Sequence, residues 1–419
     1  MTDLARRLRT TDAVVIGLGS MIGAGLFAAF APAAAAAGSG LLIGLGVACL
    51  IAWCNATSSA QLAAQYPASG GTYVYGRERL GEWPGFLAGW GFMVGKTASG
   101  AAMALTFAAN LVPEPWTRPV AALAILTLAM INYRGITRTA GAARIIVTVV
   151  LVLLAVSLVA ALAGHRVGFD TAGWGSVLSA GPYGILQSAG LLFFAFAGYA
   201  RIATLGEEVI DPARTIPRAI TISLLLTAGL YVFVAVALLL VLGPSGIAAT
   251  VAPIAEAVAV GHWPWLAPAA RAAAAVAALG ALLALVAGIG RTGLAMAREG
   301  DLPRWLDAVH PRFRVPHRAE LTFAGLMCVL VLLVDLRGAI GFSSFGVLLY
   351  YLVANLSAFT QSGSHRRFGR AWQVLGTAGC VVLVATLPWQ AVVAGTAVFL
   401  VGIGWRLVAR RIDRSGATG

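Results

Sequence analysis

The chain has 419 residues, of which 59% are hydrophobic and only 11% charged, with 50 glycines and a mean hydropathy of +0.87. Soluble domains carry about 25% charged residues, and runs of about 20 apolar residues mark membrane spans, so a soluble fold, a disordered chain and a nucleic-acid-binding module are excluded. The formal charge of +13, from 29 basic against 16 acidic residues, would suit a polyanion partner, but its placement makes it a topology signal.

No linker, low-complexity tract or polar block divides the chain, which predicts a single all-α membrane domain over residues 1–419. The opening MTDLARRLRTTD is basic and runs into the first apolar segment without a small-residue cleavage site, as a retained first helix does. Runs able to cross hydrocarbon about 30 Å thick fall near 12 to 36, 40 to 63, 84 to 110, 118 to 133, 143 to 164 and 182 to 205. Six more lie near 217 to 242, 265 to 290, 319 to 335, 338 to 361, 371 to 387 and 390 to 408, giving about twelve transmembrane helices.

An even number of spans puts both termini on one side, and 23 of the 29 basic residues fall there, against Arg118, Arg166, Arg271 and Arg337 opposite. The remaining two, Lys96 and Arg201, lie inside spans. Positive loops face the cytoplasm, so a multi-pass protein of the cell membrane with both termini cytoplasmic is expected, its basic face attracting anionic lipid headgroups. Twenty-eight of the basic residues are Arg and one is Lys, the bias of high-GC coding, in keeping with a bacterial source. Cys49, Cys54, Cys328 and Cys380 sit in apolar runs without metal spacing and read as small core residues.

The first span contains Gly17, Gly19, Gly23 and Gly25, four glycines within nine positions. Each costs about 1 kcal/mol against Ala in a helix interior, and backbone that unwinds at membrane depth survives only where it faces a cavity or ligand. The alternative is a small-residue packing face formed by Gly19 and Gly23. The sixth span decides between them, because Phe194-Ala195-Phe196-Ala197-Gly198-Tyr199 places a second glycine break five spans later. Interrupted helices at matching positions of two halves point to a transporter built on inverted repeats, with its substrate between the breaks. The amides of Ala24 and Gly25 would then face a carboxylate, and the carbonyls of Met21, Phe194 and Ala197 an ammonium. Ile22, Gly23 and Gly198 complete this substrate-binding set, which suits amino acids as a class.

Four stretches together resemble the amino acid permeases of the amino acid, polyamine and organocation (APC) superfamily. They are Gly19 to Phe27, Pro67 to Tyr75, Phe194 to Tyr199 running into Glu207 to Arg218, and Arg291 with Ala295 to Pro303. The resemblance covers nearly the whole chain. It implies the leucine-transporter-type fold, with a first repeat over 12–164, an inverted second repeat over 182–361 and two additional helices over 371–410. It also implies alternating access and the backbone roles given above. The chain departs from relatives in placing Ala200 where many carry Glu, and in having no ionisable residue from Ile145 to Ala163, where proton-coupled relatives place a Lys. The run from Ala272 to Gly290 has no Ser or Thr, which disfavours a sodium site; no metal or other cofactor is expected.

Lys96 lies about 12 residues into the third span, about 18 Å deep and close to the midplane. A charge there costs roughly 2.5 to 3.5 kcal/mol and marks a pathway, so Lys96 is expected either to alternate between neutral and ammonium forms as a coupling residue or to stand as an ammonium capped by carbonyls of the broken helices. Arg201 is expected to gate the inner vestibule by pairing with Glu207 or Glu208, or else to snorkel to the cytoplasmic end. Tyr350, Tyr351, Asn355, Phe194, Phe196 and Tyr199 are candidate walls and gates, although aromatics in apolar helices usually pack. The 207–218 loop reads as a solvated connector and His262 to Trp265 as an outer interfacial belt.

No convergent acid, histidine or nucleophile lies within the spans, which argues against an enzyme. The composition also fits a channel, but paired breaks favour a closed site. The expected function is secondary transport of amino acids, sodium-independent, by proton symport or exchange. Without intramembrane acids to meet a second cationic group, neutral amino acids are favoured over exchange or export of cationic amino acids, polyamines or other amines.

Overall fold

The computed structural model describes residues 8–67, 70–134, 140–163, 174–206 and 208–416. Among these every regular element is a helix, apart from one isolated bridge between Leu8 and Val209 that ties the N-terminus to the segment after residue 206.

The first apolar run is divided into α1 (Thr10–Met21), α2 (Ala24–Ala28) and α3 (Phe30–Ala37). Then come α4 (Leu41–Gln65), the short α5 (Thr72–Leu80), α6 (Glu82–Leu111), α7 (Thr117–Tyr133) and α8 (Ala140–Ala163). The sixth run is α9 (Gly181–Phe196), one 3-10 turn over Ala197–Tyr199, and α10 (Ala200–Ala203). The second half continues with α11 (Pro212–Ala248), α12 (Pro253–Ala259), α13 (Ala267–Arg298), α14 (His317–Leu333) and α15 (Leu336–Phe359), followed by α16 (Arg370–Thr386) and α17 (Trp389–Gly416).

Among the described residues eight segments are long and apolar enough to cross a membrane: Thr10–Ala28, Phe30–Gln65, Ala143–Ala163, Gly181–Ala203, Pro212–Ala248, Pro264–Arg298, Leu336–Phe359 and Trp389–Arg410. Thr117–Tyr133 and Arg370–Thr386 are shorter apolar helices. Hydrophobic side chains such as Leu123, Ile145, Val159, Leu333, Leu400 and Val401 are exposed at the bundle periphery. In water such a surface would be a liability, whereas against lipid tails it is the expected dressing of a membrane protein.

α6 packs on α13 and α15, α4 on α9 and α11, and α1 against α8, α10, α11 and α13. These packings enclose both breaks. At the first, Ile22 (φ −79°, ψ 35°) and Gly23 (φ −92°, ψ −139°) leave helical geometry, so the chain opens between α1 and α2. The second is a tightening: the Ala197 amide bonds the carbonyls of Phe193 and Phe194, and the backbone stays right-handed through Ala200. A 3-10 turn retains i to i+3 bonds, so the sixth helix changes pitch where the first one opens.

Gly71 begins α5 with φ +55°, a conformation that favours glycine. The Thr72 amide donates to the Tyr350 hydroxyl at 3.1 Å, which docks this connector on α15.

Candidate transport site

Glycine spacing brings the two breaks into contact. A Cβ on Gly198 would lie 2.4 Å from the Ser20 carbonyl oxygen and 2.7 Å from the Met21 nitrogen, and one on Gly25 would lie 2.5 Å from the Ala195 Cα. Gly19 faces Val147 of α8 and Gly23 faces Ala281 of α13, so these two glycines do not share one packing partner. The glycines let backbone approach backbone.

Tyr231 of α11 ties the breaks together. Its hydroxyl lies 2.6 Å from the Met21 carbonyl oxygen and 2.9 Å from that of Ala195, and its ring packs on Phe30 and Phe196. The Met21 carbonyl is therefore already engaged by a side chain, and the Phe194 carbonyl caps its own helix. Replacing Tyr231 with Phe removes the one O–H that the Met21 and Ala195 carbonyls share, a loss of about 1–3 kcal/mol. Thermal unfolding of the purified variant should register it, and an unchanged melting temperature would show that the hydroxyl does not hold the breaks.

Lys96, on α6, donates from Nζ to the Ala197 carbonyl at 3.2 Å and lies 5.9 Å from the Phe92 ring centroid. The Tyr351 hydroxyl reaches the same carbonyl at 3.4 Å. Lys96 therefore caps a carbonyl of the 3-10 turn and also stands on the wall of a cavity. This cavity, about 70 Å³, is lined by Ser20, Phe92, Lys96 and Met103, by Gly198, Arg201 and Thr204 of the sixth helix, and by small residues of α13 including Ala281, Ala284 and Gly288. It adjoins a second cavity of about 350 Å³ that shares Ser20, Arg201, Ala284 and Arg291 and extends from Ile22 to Leu8 and Glu208.

Of the residues expected to meet substrate, Gly198 lines the smaller cavity and Ile22 the larger; Lys96, expected to couple, lines the smaller, and Arg201, an expected gate, lines both. Met21, Gly23, Ala24, Gly25, Phe194 and Ala197 are buried beside the breaks. Arg201 donates to the Thr204 hydroxyl at 3.2 Å; Glu208, one of its expected partners, pairs with Arg291 at 3.3 Å, and Glu207 lies outside the described residues. Tyr199 stacks on Tyr351 with ring centroids 5.0 Å apart, and Tyr350 holds the start of α5. Asn355 lies in a buried polar cluster, accepting from Ser58 at 2.6 Å and donating to Asn55 at 2.6 Å, with the Cys380 thiol 3.5 Å from Asn55 Oδ1. No group of His, Cys, Asp or Glu among the described residues could hold a metal ion.

Phe92, Met103 and Tyr231 were not singled out from sequence. In apolar helices they look like packing; Phe92 stands one helical turn before Lys96, a spacing the sequence shows, whereas the carbonyl partners of Tyr231 lie on other helices.

The amino acid permease family model matches residues 8–408. The chain belongs to the amino acid permease family. It is 57% identical over 412 residues to an uncharacterized transporter of Mycobacterium tuberculosis, covering 98% of this chain and 93% of that protein. It is 27% identical over 432 residues to the branched-chain amino acid permease BcaP of Bacillus subtilis, covering 96% and 92%. Against cationic amino acid transporter 4 of Homo sapiens it is 29% identical over 379 residues, covering 84% of this chain and 59% of that protein. With its apolar helices, this membership makes the chain a multi-pass membrane transporter.

Proposed function

We propose that this permease carries amino acids by alternating access, through two inverted five-helix halves (12–164 and 182–361) followed by two further helices (371–410), twelve spans in all. The observation that carries the reading is the meeting of the two breaks, with Gly198 against Ser20 and a cavity at the junction whose continuation leads toward Leu8 and Glu208. With both termini cytoplasmic, that opening faces the cytoplasm, and the shape is the inward-facing half of a cycle.

Coupling is proposed to be by proton symport or exchange, without sodium. The run from Ala272 to Gly290 of α13 offers no side-chain hydroxyl to a sodium ion. Lys96 is the proposed coupling group, because its ammonium and a substrate amino group would compete for the Ala197 carbonyl. With Lys96 and Arg201 on the wall, a cargo with a cationic side chain is disfavoured.

The test is counterflow in proteoliposomes preloaded with the common amino acids, offering each labelled amino acid outside at two pH values. Saturable accumulation that depends on pH in the wild type and loses that dependence in Lys96→Met is expected. Normal pH-dependent uptake by a well-folded Lys96→Met would remove Lys96 from the mechanism, and non-saturable flux would indicate a channel.

A further inference from the structure

The charge on the cavity wall bears on the cargo itself. Lys96, Arg201 and Arg291 line the smaller cavity, and Arg201 and Arg291 the larger as well. The one carboxylate among these lining residues is Glu208, and it is already paired with Arg291. Lys96 meets neutral groups, the Ala197 carbonyl and the Phe92 ring; Arg201 donates to the neutral Thr204 hydroxyl and shares the field of Glu208, the carboxylate that Arg291 holds at 3.3 Å. Among the described residues neither Lys96 nor Arg201 forms an ion pair.

A cation within a membrane span that forms no ion pair is costly and is retained where a ligand or pathway needs it. Lysine can relieve that cost by shedding its proton; arginine cannot, so Arg201 keeps a guanidinium fork shaped for a carboxylate. A neutral amino acid brings one carboxylate and one ammonium, which leaves the surplus of positive charge where it was. A cargo with a further carboxylate removes it.

We propose that the cavity takes a solute of net negative charge, with one carboxylate held by Arg201: an acidic amino acid or an amine-free dicarboxylate of similar length. This rests on the transporter reading above and replaces the neutral class favoured from sequence. The same positive wall would draw such a solute in from solution through its long-range field.

The experiment is counterflow with the full-length protein in liposomes, using labelled L-glutamate, L-aspartate, glutarate, L-leucine and L-arginine, with Arg201→Gln and Arg201→Lys alongside. Glutamate or aspartate is expected to accumulate at least about tenfold above leucine and arginine, a ratio set by the charge-assisted pair. Arg201→Gln is expected to abolish that preference and Arg201→Lys to retain part of it. Transport of glutarate but of no amino acid would support an anionic cargo and overturn the amino acid reading. Leucine exchange uninhibited by glutamate or glutarate would overturn the anionic cargo and leave amino acid transport standing. No exchange of any solute by the wild type would overturn both. If Arg201→Gln fails to fold, thermal stabilisation of the wild type decides: glutamate or glutarate should raise its melting temperature and leucine should not. No stabilisation by either anion would overturn the proposal.

Discussion

Gly198→Ala is expected to abolish transport while leaving the protein in the membrane. The added Cβ would sit 2.4 Å from the Ser20 carbonyl oxygen, 2.5 Å from the Ser20 carbonyl carbon and 2.7 Å from the Met21 nitrogen. All three are backbone atoms, so no side chain can rotate away, and the sixth helix must lift off the first. Overpacking of this kind costs about 1–3 kcal/mol and sometimes more. The strain falls at the junction where the proposed cycle requires the two breaks to move against each other. Counterflow should drop below about a tenth of wild type, the change that 1.4 kcal/mol produces in an equilibrium between conformers. Gly229→Ala is the control, since a Cβ there meets nothing within 4 Å; it should transport like wild type. A folded Gly198→Ala with normal counterflow would show that contact between the breaks does not limit transport.

The first break could be read from sequence because glycine is costly in a helix and four of them in nine positions need a reason; the structure opens the chain at Ile22 and Gly23. The second could be located but not shaped. Gly198 marks the place, yet whether the backbone unwinds or only tightens depends on whether i to i+3 bonds survive, and at Ala197–Tyr199 they do. Lys96 stood out as a lone ammonium in an apolar run, and such a charge must find a carbonyl or a cavity. It has both.

Other features rest on contacts between different helices and leave no local pattern. Tyr231 reads as one more aromatic until its hydroxyl is seen against Met21 and Ala195. Asn355, a candidate gate by its place in the tenth span, belongs to the Asn55, Ser58 and Cys380 cluster instead of lining either cavity. Glu320, near the start of α14, is only 3% exposed, and Gly290 of α13 makes room for it. The basic residues were summed for topology, which hides the individual roles of Arg77 and Arg406.

Those two arginines meet Asp301, and Asp301→Ala is expected to be the most destabilising change outside the breaks. Asp301 is 3% exposed and Arg406 1% exposed. Asp301 accepts from the Tyr73 hydroxyl at 2.8 Å and from Arg77 at 3.1 Å, and pairs with Arg406 at 3.2 Å. Burial pushes its carboxyl above the ordinary aspartate range, against the Tyr73 hydrogen bond and the charges of Arg406 and Arg77. Arg406 in turn donates to the Glu82 carbonyl at 2.8 Å and lies over the rings of Trp83 and Phe86. One carboxylate thus fastens α5, the loop after α13 and α17 around the start of α6. Removing it leaves the buried Arg406 guanidinium with only the longer Glu82 pair at 3.8 Å, and breaking such a buried pair costs about 3–5 kcal/mol. Thermal unfolding should show the loss, and the surviving protein should keep its wild-type KM, because none of these residues lines either cavity. The double variant Asp301→Ala/Arg406→Leu should lose less than the two single changes together, with a coupling of about 0.5–3 kcal/mol. Additive losses would show that the two charges act separately, and a raised KM in Asp301→Ala would place this cluster in the transport path.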